Sequence, residues 1–114
     1  MPNPHRGEIA FDMDGEIHIL RLTLGSLAVL EDALGSDGLQ ALSERLQAGR
    51  LGARDICQVL AAGFSGAGRI RSAEQIGAQI AASELTRAAE AAAKLLEMTF
   101  GGGSSSRPPP PQAT

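Results

Sequence analysis

The dipeptide Asp14-Gly15 sits between two short apolar-rich runs, Ile9-Ala10-Phe11-Asp12-Met13 before it and Glu16-Ile17-His18-Ile19-Leu20 after it. A two-residue type I′ turn needs positive φ at both central positions, which Asp and Gly tolerate, so the segment is predicted to fold as a β-hairpin. Closing the turn at these two residues sets the register. Met13 then faces Glu16, Phe11 faces His18, Ile9 faces Leu20 and Glu8 faces Arg21. Because side chains alternate along a strand, Ile9, Phe11, Met13, Leu20 and Leu22 share one side, with His18 and Glu16 toward the turn. The other side carries Ala10, Asp12, Ile17 and Ile19, together with a Glu8–Arg21 ion pair expected to contribute ~0.2–1 kcal/mol. The first side is the core side. Ile17 and Ile19 are therefore either packed by another element or available to a partner.

Downstream the period changes from two to that of a helix. Thr23 is placed to cap a helix that turns Leu24, Leu27, Ala28, Leu30 and Leu34 inward, with Val29 beside them, and that stops at Gly35. Ser36-Asp37 caps a second helix with Leu39, Leu42 and Leu46 inward, broken by Gly49-Arg50-Leu51-Gly52. A third helix is predicted from Ala53 to Ala62, facing inward with Ile56, Val59 and Leu60 and with Cys57 and Phe64 beside them. Gly63 to Arg69 is then expected to be a flexible loop. Ser72 and Gln75 form a capping box for a fourth helix through Ala82, contributing Ile76 and Ile80 to the core. The fifth, from Glu84 to Phe100, is Ala-rich and turns Leu85, Ala88, Ala89, Ala92, Leu95, Leu96 and Phe100 inward, against Arg87, Glu90, Lys94 and Glu97 on the wet side.

The fold class expected is thus α+β, mainly α: an N-terminal hairpin followed by about five helices packed as a small bundle. Residues 6–100 form the single domain. Residues 1–5 are expected to be flexible, and 101–114, rich in Gly, Ser and Pro, read as a disordered tail. With three Phe and neither Trp nor Tyr among 114 residues, the core must be built from Leu, Ile, Val and Ala, and a homo-oligomer or partner is one way to complete it.

The net charge of −3 opposes generic phosphate-backbone binding, and nine of the ten basic residues are scattered Arg, so no nucleic acid is expected as a partner. A lone Cys57 allows no intramolecular disulfide. No secretory h-region and no 18-residue apolar run is present, which points to the cytoplasm and away from a membrane.

Chemistry-bearing residues are few. His5, His18 and Cys57 lack the paired short spacings of a zinc site. Cys57, on an apolar helix face, is better placed as a small core residue than as a nucleophile. Asp12, Asp14 and Glu16 cluster at the hairpin tip without EF-hand spacing and are expected to be solvated. Gly63, Gly66 and Gly68 followed by Arg69 and Arg71 lack the Lys-Ser/Thr ending of a phosphate loop and follow a helix rather than a strand. Leu39 to Ala62 has the outline of a helix-turn-helix with Arg50 and Arg54 near its second helix, but Asp55 and the acidic balance oppose a DNA-reading role. No catalytic residue, metal ligand or cofactor-binding residue is assigned, and the chain is not expected to be an enzyme.

The wording of Asn3 to Gly35, with P-H-R-G-E ahead of the hairpin and R-L-T-L-G-S-L-A-V-L-E-D-A-L-G after it, resembles the opening of the gene transfer agent tail assembly chaperone family. These are small proteins encoded among the tail genes of prophage-derived particles. The likeness continues more weakly through R-L-G-A-R-D-I-C-Q-V-L-A-A-G to about Phe100. It implies a bacterial chaperone that performs no chemistry, binds the tape-measure protein and brings tail-tube protein to it. On that reading the hairpin is the docking element, with Ile17, Ile19, Arg21 and Glu8 as the partner-binding residues. Two alternatives remain: a minor structural tail component retained in the particle, although a tube subunit is expected to be β-rich, or a small helix-turn-helix regulator.

Overall fold

The computed structural model describes residues 7–35 and 38–99. The expectations for residues 1–5, the Ser36-Asp37 cap, Phe100 and the tail 101–114 lie outside the described residues. Strands β1 (Ile9–Met13) and β2 (Glu16–Leu20) are followed by helices α1 (Leu24–Leu34), α2 (Gly38–Gln47), α3 (Ala53–Gly66), α4 (Ala73–Gln79) and α5 (Leu85–Thr99), with a 3-10 turn at Ala82–Glu84 before the last. The architecture is the one expected, a hairpin joined to five mainly short helices.

Asp14 and Gly15 both adopt positive φ, 60° and 82°, as a type I′ turn requires. The antiparallel ladder runs from Met13 opposite Glu16 to Ile9 opposite Leu20, in the register set by the turn. Ile9, Phe11, Met13, His18 and Leu20 are buried, while Ala10, Asp12 and Ile17 are exposed and Ile19 is half-buried. The buried side of the hairpin rests on α3, which packs on β2, and on α5, which packs on β1. Helix α3 is central. It also packs against α1 and α4, and its Val59, Leu60 and Phe64 have no solvent exposure.

Three inward faces were read correctly in large part. Leu42 of α2 is buried between half-buried Leu39 and Leu46. Helix α3 buries Ile56, Val59, Leu60 and Phe64, and α5 buries Ala88, Ala92, Leu95 and Leu96. The Ser72–Gln75 capping box is present, each side chain bonding the other's backbone N–H at 2.9–3.0 Å, and Ile76 is buried beneath it. Helix α4 stops at Gln79 rather than Ala82, because the chain turns extended at Ile80 before entering the 3-10 turn.

The structure corrects the sequence reading at three further places. Leu24, expected inside, is 84% exposed, and Ala28 is exposed too; Ser26 and Leu30 are the buried residues of α1. Ser26 accepts from the Thr23 N–H at 2.7 Å and donates its own N–H to Thr23 Oγ1 at 3.1 Å, a capping box that holds Ser26 inward. Leu85 is likewise half exposed at the first turn of α5. The third correction is larger. The expected loop from Gly63 to Arg69 begins only after Gly66, because α3 runs one turn further than Ala62. Gly63 faces Leu20 and Leu95, and Gly66 lies directly against the Arg21 carbonyl, so these glycines serve close approach between helix and hairpin. Gly68, with φ 89°, follows the helix end.

Candidate functional site

In a hairpin closed by a two-residue turn, Met13 and Glu16 exchange backbone bonds, as do Phe11 with His18 and Ile9 with Leu20. The N–H and C=O groups of Ala10 and Asp12 then point away on one side and those of Ile17 and Ile19 on the other. Two contacts follow this alternation. Arg87 Nη1 donates to the Asp12 carbonyl at 2.6 Å, and just past β2 the Arg21 N–H donates to the Gly63 carbonyl at 3.1 Å.

The two edges are therefore unlike. Along β1 the Arg87 guanidinium caps the Asp12 carbonyl, stands 4.9 Å from the centre of the Phe11 ring, and is held by Glu84 at 2.8 Å. A cleft of about 540 Å³ lies between β1 and α5, bordered by Ala10, Asp12, Arg87 and Lys94. Along β2, among the described residues, nothing bonds the outward backbone groups of Ile17 and Ile19, and the Ile17 side chain is 72% exposed. Charged side chains, proline and covering elements are the usual protections of an edge, and among the described residues this short edge has Glu16 at its turn end and Arg21, bonded to α3, just past the other.

Of the four residues assigned to partner binding, Ile17 and Ile19 lie together on the outer side of β2, the first exposed and the second half-buried. Glu8 and Arg21 fall one residue beyond the ladder and are both half-buried. The core face beneath is tied down by Arg69 and Arg71, which the sequence reading weighed only as part of a phosphate loop. Arg69 Nη1 donates to His18 Nδ1 at 2.9 Å, which puts the imidazole proton on Nε2, 3.7 Å from Glu16 Oε1. His18 also meets Phe64 edge to face at 5.1 Å, and Arg71 stands 5.4 Å from the same phenyl ring. The signal for these contacts was present only as a buried His on a strand facing a later basic loop.

The remaining candidates separate in space. Cys57 is half-buried beside Gly77 on the α3–α4 side, away from the hairpin. Asp12, Asp14 and Glu16 are exposed, and among the described residues no group of His, Cys, Asp and Glu is arranged to hold a metal ion. Gly63 and Gly66 are helical and engaged by the hairpin, so they form no phosphate loop with Gly68. Arg50 and Arg54 are exposed, but α2 packs chiefly on α1 and α5 rather than on α3, unlike the paired helices of a helix-turn-helix. What joins α2 to α3 is an ion pair. Arg45 donates to both Asp55 carboxylate oxygens at 2.7 and 2.8 Å, and Asp55 also accepts from the Gly52 N–H at 3.0 Å. Burial pushes the Asp55 carboxyl up, but the guanidinium and the Gly52 N–H outweigh it and hold the group below the usual carboxylate range. Among the described residues no helix is long and apolar enough to cross a membrane.

No curated protein and no solved structure matches the chain. A family model described as phage tail tube protein, GTA-gp10, matches residues 6–102, which takes in the hairpin, all five helices and the first glycines after them. That description names a tail protein rather than an enzyme, and it agrees with the gene transfer agent kinship suggested by the opening residues. By a match over most of its length, this chain belongs to the GTA-gp10 family of phage tail tube proteins.

Proposed function

We propose that the protein is a tail assembly chaperone of a gene transfer agent or prophage, acting without chemistry by binding tape-measure or tail-tube protein while the tail is built. The observation that carries this reading is the β2 edge: among the described residues, unbonded backbone groups at Ile17 and Ile19 beside an exposed isoleucine, on a hairpin packed against α3 and α5. An extended segment of a partner can add to such an edge, with main-chain bonds giving affinity and side chains such as Ile17, Arg21 and Glu8 giving selectivity. A two-stranded sheet of five-residue strands also offers little β-structure from which to build a continuous tube wall.

Co-expression with the tape-measure and tube proteins of the same gene cluster, followed by pull-down, tests the proposal. Ile17→Thr combined with Ile19→Thr is expected to keep the helical circular dichroism and to lose most of the captured partner. Full capture by the folded double variant would move the binding surface to the helices. The family's description favours a second reading, a structural component retained in the tail. Stoichiometric presence of the chain in purified particles supports that reading, and absence supports the chaperone.

A further inference from the structure

We propose that, when no tail protein is bound, the β2 edge pairs antiparallel with the β2 edge of a second copy, joining two hairpins into one four-stranded sheet. The idea rests on the hairpin reading above and names an occupant for that edge. Three features select it. The first is the asymmetry of the sheet: Arg87 caps the Asp12 carbonyl and lies over Phe11 on the β1 side, while among the described residues nothing bonds the outward groups of Ile17 and Ile19, so β2 is the less obstructed edge.

The second is the side chains that pairing would bring together. Ile17 and Ile19 lie on the same face of the strand, and an antiparallel neighbour of identical sequence places its own two isoleucines beside them. The apolar surface that one copy exposes is covered by the same surface of the other, as a two-fold interface requires.

The third is charge. The turn end of the hairpin carries the exposed acids Asp12, Asp14 and Glu16. Just past its other end lies Arg21, with Glu8 across from it, so that end carries no excess of acid. Antiparallel pairing sets the acidic tip of each copy away from that of the other and toward its Arg21, whereas parallel pairing would stack acid on acid. The Arg21 N–H is already taken by the Gly63 carbonyl, so the shared ladder is confined to the stretch around Ile17 and Ile19. A ladder that short buries less than a standard interface, and the dimer is expected to be weak and exchangeable, with a tail protein able to displace it.

Sedimentation velocity on the full chain alone, from roughly 1 µM to 1 mM and at low and high salt, tests the proposal. The expected result is a reversible monomer–dimer equilibrium whose dissociation constant rises with salt and rises at least tenfold in Ile17→Lys. Val29→Lys, on an exposed position of α1, is expected to leave it unchanged. Should Ile17→Lys lose its helical circular dichroism, Ile17→Thr serves in its place with the same direction of change. A chain that stays monomeric throughout overturns self-pairing, as does a dimer lost in Val29→Lys and kept in Ile17→Lys. A monomer that still captures tail protein in the pull-down overturns only this inference. A dimer that captures none overturns the chaperone reading and leaves self-pairing standing.

Discussion

A side chain at position 66 would collide with the Arg21 carbonyl, a backbone atom that cannot swing aside. Gly66→Ala therefore sets a helix-propensity gain of up to ~1 kcal/mol against overpacking of about 1–3 kcal/mol, and net destabilisation is expected. Gly25 is the matched control, since a methyl group there meets only Thr23 Oγ1 at 3.8 Å. Urea unfolding of the two variants should show Gly66→Ala less stable than the parent and Gly25→Ala equal to it or slightly more stable. A single sequence does not separate these roles: glycine is written alike where a helix ends and where a neighbour approaches closely, and the run Gly63, Gly66, Gly68 contains both. The same limit hid Arg87. Its spacing put it on the wet side of α5, and nothing local announces that its guanidinium reaches a strand 75 residues earlier in the chain.

At the scale of elements, local chemistry was legible and the choice of face was not always so. The hairpin register and the Ser72–Gln75 cap follow from rules spanning four residues or fewer, and both hold. Helix α1 is apolar around most of its circumference, so periodicity could not decide that Ser26 and Leu30 rather than Leu24 face the core. The α2–α3 junction makes a prediction of its own. A carboxyl whose pKa is lower folded than unfolded adds stability above its unfolded value and loses that contribution as the pH falls through its folded value. Asp55 is such a group. Asp55→Asn should melt below the parent protein at neutral pH, and the gap should close as acid takes the solution below about pH 4. A gap independent of pH would show that the pair does not act through its charge.

For the whole molecule, the buried aliphatics of α3 and α5 hold together a core that lacks Trp and Tyr. Leu60→Ala or Leu96→Ala should cost about 2–5 kcal/mol, a large share of the stability of a domain this size, whereas exposed Glu90→Ala should cost only tenths. Chemical denaturation of the three variants checks the ranking. The bond from the Arg21 N–H to the Gly63 carbonyl has a further consequence. Arg21 belongs to neither strand nor helix, a position from which fast amide exchange with solvent deuterium would be expected. Its hydrogen is instead held by the backbone of the central helix, so it is released only when hairpin and helix part, and its exchange rate becomes a clock for that separation.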